Sequence, residues 1–231
     1  MEKTTFLSKI SKIEMLNHNI MELHLARPAS FPYLAGQFVQ FFVPKDDGIV
    51  KRSYSLASTP SDQNLEFCIK ILPKDLNGPA SLYLPTLQHG DTLEISEPRG
   101  RFIPRDHENQ YYIATGAGLA PILGMIRDQL ENKKNIQKIE LLFGVRHKID
   151  IFFEERLKDL QKKFTNFRYQ IALSQPGEDW TGLQGRVTDH LLHDLVDHSF
   201  YICGNPSMVK DVRTALIMNG IDSKSILFEI F

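Results

Sequence analysis

The chain has 231 residues, 42% hydrophobic and 24% charged, enough for one large domain or two small ones with a substantial core. Its 27 basic and 28 acidic residues leave a net charge of −1, so nothing global points to nucleic acid or an acidic membrane surface. No run of about 18 uncharged apolar residues occurs, and the opening MEKTTFLSKISKIEML has no apolar stretch, so neither membrane insertion nor a secretory signal is expected.

In chain order, residues 1–104 read as short strands between turn signals: SKISKIEML, IMELHLAR, GQFVQFFVP, RSYSLAS, LEFCIKIL and DTLEISEP. Breaks fall at Pro32, Gly36, Asp46-Asp47-Gly48, Pro60, Gly90-Asp91 and Pro98. Leu93 and Ile95 alternate with Thr92 and Glu94, the pattern of a strand with one buried face. Many short strands with regular turns predict an antiparallel barrel or sandwich, interrupted by one helical turn at GPASLYL. From Gln110 the pattern changes. YYIAT is an apolar strand, APILGMIRDQLEN an amphipathic helix, KIELLFGV a strand and IDIFFEERLKDLQKKF a helix. FRYQIALSQ, GRVTDHLLHDLV, SFYICG and PSMVKDVRTALIMNG continue the alternation, which predicts a doubly wound α/β domain with a parallel sheet covered on both faces. The polar stretch IPRDHENQ marks the boundary, so two domains are expected, 1–104 and 105–231. Such sheets bind ligands outside the carboxyl ends of their strands, which directs attention to the groove between the halves.

Several short stretches carry candidates for that groove. In YYIATGAGLAPILGM, Thr115, Gly116 and Gly118 lie between strand and helix, with Pro121 early in the helix. Glycine lets the backbone approach a phosphate, and a helix N-terminus offers free N–H groups. Pro121 departs from the dinucleotide pattern G-x-G-x-x-G, and a tight turn without a ligand is the alternative. LLFGVR ends in Gly144 and Arg146, where the arginine suits a nucleotide phosphate or ribose, or is a solvated charge. Cys203 and Gly204 end a buried strand before a helix opened by Pro206, and a free cysteine there is by default a small buried apolar residue. In KRSYSLAS, strand alternation puts Arg52 and Tyr54 on one face and Ser53 and Ser55 on the other. Arginine can grip phosphate and tyrosine offers a flat ring, so the stretch suits a flavin nucleotide as well as it suits a solvated strand.

Taken in order, RSYS, GPASLYL, GDTLEISEPRGRF, GAGLAP, FGVR, CGNPSM and the final EIF resemble the motif set of the ferredoxin–NADP reductase superfamily, especially its flavin reductase and oxygenase-reductase branches. The likeness runs from about Ser8 to Phe231. It implies a Greek-key β-barrel that binds FAD, followed by an α/β domain that binds NAD(P)H. Arg52 matches the arginine on the flavin phosphate, Tyr54 the aromatic packed on the isoalloxazine and Ser55 the hydroxyl near flavin N5. Because Ser55 and Tyr54 differ in parity, the strand must bend or end there, with Pro60 as a candidate cause. Gly78, Ala80 and Ser81 match the turn that meets the FAD pyrophosphate, which favours FAD over FMN. Ser53, Ile69 and Lys70 lie on the strands lining the flavin, Lys70 without an assigned side-chain role. Thr115, Gly116, Gly118, Pro121, Gly144, Arg146 and Met208 fall on the NAD(P)H side, and Cys203 and Gly204 match the pair beside the nicotinamide. Glu229 and Phe231 match an acid-x-aromatic ending whose aromatic shields the flavin. The resemblance implies hydride passage from NAD(P)H to flavin N5, with Ser55, Cys203 and Glu229 as catalytic candidates and no metal.

Members that use NADP place arginine or serine after the strand that here reads ALSQPG. Gln175 and Pro176 stand in those places and favour NADH, while Arg146 and His147 keep NADPH open. Two cysteines, Cys68 and Cys203, are too few for a disulfide scaffold or for the four thiolates of a plant-type iron–sulfur cluster. A cytoplasmic protein without a fused ferredoxin domain is therefore expected. Its acceptor would be a separate ferredoxin-like or flavodoxin-like protein, an oxygenase component, or free flavin. Two other readings stand beside this one: an NAD(P)H:flavin reductase that uses flavin as a substrate, and a non-catalytic flavin-binding protein that regulates or docks a partner. The presence of Tyr54, Cys203 and the Gly116–Gly118 turn disfavours the last. Oligomeric state is not legible in the sequence.

Overall fold

A computed structural model of the protein describes residues 4–73, 78–192 and 197–231. Its first sheet is antiparallel and contains β1 (Thr5–Met15), β2 (Ile20–Ala26), β3 (Phe38–Lys45), β4 (Gly48–Ser55), β5 (Asn64–Lys70) and β6 (Thr92–Ser96), in the spatial order β4-β3-β6-β1-β2-β5. Period-two alternation builds it. Met21, Leu23 and Leu25, then Val39, Phe41 and Val43, then Leu65, Phe67 and Ile69 all point into one buried cluster. β1 serves two neighbours, pairing β6 through Thr5–Lys9 and β2 through Ile10–Met15, with a register shift between Ile10 and Lys12. Such a bulge bends the strand and lets the sheet curl. The ends of the sheet meet where Leu56 bridges Phe67 and Ala57 N donates to Glu66 O at 2.8 Å, so the sheet curls into a barrel. Ala80 of the short helix α1 (Pro79–Tyr83) and the following Leu84 pack into the barrel core.

The second sheet is parallel: β7 (Asn109–Thr115), β8 (Ile139–Val145), β9 (Phe167–Leu173), β10 (Leu183–Gln184), β11 (His198–Gly204) and β12 (Ile226–Ile230), ordered β10-β9-β8-β7-β11-β12. Tyr112, Ala114, Leu141, Phe143 and Cys203 face α2 (Leu119–Arg127) and α3 (Glu154–Lys163). Tyr111, Ile113, Leu142 and Ile202 face α4 (Pro206–Met218) on the other side. The cluster around α2 also takes in Ile20, Ala35, Ala57, Cys68 and Phe102 from the barrel half, so one core runs through the junction. Gly124 permits that contact: a Cβ there would stand 3.0 Å from both Leu56 O and Ser58 O. The order reverses between β7 and β11, and the ends of those two strands flank the crevice expected of such a sheet.

Three elements differ from the sequence reading. The helix in IDIFFEERLKDLQKKF starts only at Glu154, because Phe153 adopts a left-handed conformation with φ of 58° and Lys148–Asp150 form a separate 3₁₀ turn. GRVTDHLLHDLV, which occupies a helix slot in the alternation, supplies a 3₁₀ turn at Val187–His190, closed by Arg186 N donating to Asp189 Oδ2 at 2.8 Å. Residues 193–196 of that stretch lie outside the described residues. Glu229 and Ile230 of the final motif EIF belong to a strand, β12, that sequence periodicity did not announce, and Phe231 follows it. Among the described residues no helix is long and apolar enough to cross a membrane.

Candidate active site

β4 stands at the end of its sheet order, hydrogen-bonded along its length to β3 alone. Arg52 pairs with Phe41 and Tyr54 with Val39, and residues opposite each other in an antiparallel ladder share a face. Tyr54 therefore leans on the barrel side, its ring 4.6 Å from that of Phe41, and burial pushes its hydroxyl up to about 12. Arg52 is exposed, and its guanidinium donates to Lys51 O at 3.0 Å. Ser53, on the opposite face, is also exposed, whereas Ser55 on that face is buried. The strand ends at Ser55 through a change of partner rather than through Pro60: Leu56 N still bonds Gln37 O, and Ala57 N already bonds Glu66 O. Tyr54 and Ser55 thus keep opposite faces, and one flat group reaches both only by lying along the free edge of β4.

Ile69 points into the barrel core, and Ala80 is buried there too, so each offers a ligand little beyond its backbone. Lys70 is exposed at the end of β5. Ser81 N donates to Gly78 O at 3.0 Å, and Ser81 Oγ accepts from Leu72 N at 3.3 Å. Among the described residues a Cβ on Gly78 would meet nothing within 4 Å, so none of them requires glycine at this turn.

At the ends of β7 and β11 the glycines divide by role. A Cβ on Gly118 would stand 2.3 Å from Cys203 O, and one on Gly204 would stand 2.2 Å from Thr115 Oγ1. These two let the strand-end turns lie against each other. Gly116 differs: it has φ of +53° and open space where its Cβ would stand. Thr115 Oγ1 is buried without a hydrogen-bond partner among the described residues. Pro121 is buried in the first turn of α2, and Gly144 makes room for Val187 and Thr115. Met208 is a core residue of α4 whose methyl comes close to Gly204, and Arg146 is exposed at the end of β8.

The three catalytic candidates come together where the two halves meet. Ser55 Oγ donates to Glu229 Oε2 at 3.3 Å, across 174 positions of sequence. Cys203 pairs with Glu229 in the β11–β12 ladder. Burial raises the Glu229 carboxyl above its ordinary range, partly offset by the Ser55 bond. Burial, with the neighbouring Glu229 charge, raises the Cys203 thiol well above its ordinary value, so Cys203 is a neutral buried thiol. Phe231 is half exposed and donates through its N–H to Gly204 O at 3.1 Å.

Sequence reading missed the residues that fix the halves against each other. Arg156 of α3 donates to Glu66 at 3.1 Å and to Glu22, which also binds Lys12 at 2.7 Å. Burial by itself would raise the Glu22 carboxyl; the contacts with His24, Lys12 and Arg156 reverse this and hold it well below its ordinary value. Arg127 grips Asp62 through two bonds of 2.8 and 3.0 Å. Glu22 and His24 share the outward face of an alternating strand, which in sequence looks like a solvated face. Only the arrival of α3 buries it.

Comparisons with known proteins agree with this layout. The family model described as an oxidoreductase FAD-binding domain matches residues 7–103, and that of an oxidoreductase NAD-binding domain matches 112–214. The chain is 33% identical to the electron transfer component of anthranilate 1,2-dioxygenase from Acinetobacter baylyi, over 96% of this chain and 66% of that protein. It is 35% identical to one component of the Na(+)-translocating NADH-quinone reductase of Pseudomonas aeruginosa, over 82% of this chain and 51% of that component. The chain thus spans about half to two thirds of the length of these curated relatives. A ferredoxin NADP+ reductase from Neisseria gonorrhoeae, solved with bound FAD and NADP, matches with a TM-score of 0.86 at 25% identity, covering 99% of each chain.

Proposed function

The chain belongs to the ferredoxin–NADP reductase superfamily of FAD- and NAD-binding oxidoreductases, and from that premise we propose that it oxidises NADH, in preference to NADPH, and passes the electrons to a separate acceptor. In this reading residues 1–104 hold FAD and residues 105–231 hold the nicotinamide nucleotide. The observation that carries it is the Ser55–Glu229 contact, which sets a hydroxyl from one half against a carboxyl from the other at the switch point of the parallel sheet.

The residues present fit a flavin nucleotide. Arg52 offers an exposed fork of donors, Tyr54 a half-buried ring at a free strand edge, and Gly78 a turn with room for close approach. FAD, when bound, supplies the acceptor for a hydride from reduced nicotinamide and hands electrons on. Gly116 gives the nucleotide phosphates open backbone at the end of β7. Cys203, held neutral by burial, acts as a small apolar floor rather than a nucleophile. Burial lets the Glu229 carboxyl hold a proton to higher pH than an ordinary carboxyl, while the bond that Ser55 Oγ donates to Oε2 favours the ionised form. Phe231 is a cover tied by one backbone bond, weak enough to move aside. A separate acceptor is supported by the name of the anthranilate dioxygenase relative, an electron transfer component. Two reduced cysteines are consistent with a place in the cytoplasm.

The test combines FAD content after gel filtration with steady-state NADH oxidation by an artificial acceptor. The expected result is a yellow protein that retains stoichiometric FAD and oxidises NADH. A colourless protein that stays inert with added FAD would overturn the proposal. Turnover with FAD lost on the column would recast flavin as a substrate.

A further inference from the structure

Ser55 is carried into the site by the segment that follows it, and that segment is held from two sides. On the barrel side, Leu56 N donates to Gln37 O at 2.9 Å and Ala57 N to Glu66 O at 2.8 Å. Ser58 Oγ accepts from Glu66 N at 3.1 Å and lies 2.8 Å from the Tyr33 hydroxyl, which donates to Thr59 O. Leu56, Ala57, Ser58 and Thr59 are all fully buried. On the other side stands α2. Gly124 lies in the middle of that helix with a negative φ, so its backbone has no need of glycine, the poorest residue for a helix interior after proline. What glycine supplies is a bare face. A Cβ there would stand 3.0 Å from Leu56 O, 3.0 Å from Ser58 O and 3.2 Å from Ala57 C. These are backbone atoms of three consecutive residues bonded to the barrel, and they cannot swing aside as a side chain can. An added Cβ would therefore displace the segment or α2 by a few tenths of an ångström. Ser55 is the adjoining residue. Its 3.3 Å bond to Glu229 Oε2 is already long for a hydroxyl donor, whose usual range ends at about 3.0 Å, so a shift of that size is enough to break it.

Resting on the proposed function, we infer that Gly124 and Tyr33 are positioning residues for Ser55: they brace Leu56–Ser58 from the α2 side and from the barrel side, and so set the distance between the Ser55 hydroxyl and Glu229. Both act through the backbone of the segment rather than on the reacting groups. α2 also begins at the turn proposed to meet the nucleotide phosphates, so one rigid element relates the nucleotide to Ser55. Arg127, farther along α2, grips Asp62 instead, and Thr59 N keeps its own 2.8 Å bond to Asp62 Oδ2.

The test follows anaerobic flavin bleaching by NADH in the FAD-loaded protein, for Gly124→Ala and Tyr33→Phe, each alone and combined with Ser55→Ala, with Arg127→Ala as the control. Alone, each is expected to lower the limiting rate roughly tenfold, while the NADH concentration at half-maximal rate moves less than about twofold. In the Ser55→Ala background each is expected to change the rate less than about twofold, because the hydroxyl it positions is gone. Single variants within about twofold of wild type, or an equal tenfold loss in both backgrounds, would overturn the inference. A second readout needs no turnover: NMR titration of the Glu229 carboxyl. The Ser55 bond favours the ionised form, so losing it raises the midpoint. Gly124→Ala and Tyr33→Phe are expected to raise it as Ser55→Ala does, and a midpoint left at the wild-type value in both overturns the inference. If the wild type itself is not bleached, the proposed function fails, and the titration still decides this point. If Gly124→Ala yields no folded protein, Tyr33→Phe decides it by both readouts.

Discussion

The two halves of the molecule touch in two very different ways. Away from the candidate site the contacts are ionic, short and multiple: Arg156 spans Glu22 and Glu66, and Arg127 holds Asp62 with both arms. Asn17 Nδ2 adds a bond to Asp150 O at 3.0 Å, and Ser61 one to Asn132 at 3.0 Å. At the site itself the contact is one neutral hydroxyl on one carboxyl at 3.3 Å, beside an aromatic held by one backbone bond. The shared core around α2 backs the first set and reaches the site through Cys203, while Phe231 lies outside it. The difference teaches that the relative position of the halves is fixed from behind. Residues at the front can then exchange partners without separating the domains.

Four changes would break or sharpen that contrast. The largest effect is expected for Arg156→Ala, which strips a cation from a carboxylate that is 1% exposed. With Lys12 still in place, a loss of about 3 kcal/mol in urea unfolding is expected. A loss under about 1 kcal/mol would show that the rear contacts do not fix the halves. The same network predicts acid sensitivity. The Glu22 carboxyl is depressed in the folded protein, so its stabilisation is complete above its ordinary value of 4.5 and is lost as pH falls toward its folded value. Unfolding followed from pH 6 downward should therefore show a slope below about pH 4.5 that Glu22→Gln flattens. Arg127→Ala comes next, at about 1.5 kcal/mol, because its pair with Asp62 is bidentate but only partly buried. Smallest in stability is Ser55→Ala, at under about 1 kcal/mol, yet it should slow NADH oxidation roughly a hundredfold if Ser55 and Glu229 handle a proton. Ser55→Ala with wild-type turnover would remove that role.

The barrel was legible because alternation survives wherever one face of a strand is buried, as at Val39, Phe41 and Val43. The strand-end turns were legible because glycine at Gly116 answers a positive φ that side chains avoid. Other features had no local signal. Glu22 and Glu66 look solvated until α3 arrives. The late start of α3 depends on Phe153 turning left-handed under Arg156, whose guanidinium sits 4.3 Å from its ring. β12 is too short and too exposed on one face for its period to stand out, with Phe228 and Ile230 both open to solvent. Gly118 and Gly204 carried the opposite lesson: their glycines satisfy turn-to-turn packing, which sequence cannot tell apart from room for a ligand.

The most direct test is anaerobic stopped-flow mixing of the FAD-loaded protein with NADH, following loss of the flavin absorbance. The expected result is rapid bleaching in the wild type and in Arg127→Ala, and much slower bleaching in Ser55→Ala and Glu229→Gln. No bleaching with either NADH or NADPH, or equal rates in all four proteins, would contradict a hydride-accepting site built where Ser55 meets Glu229.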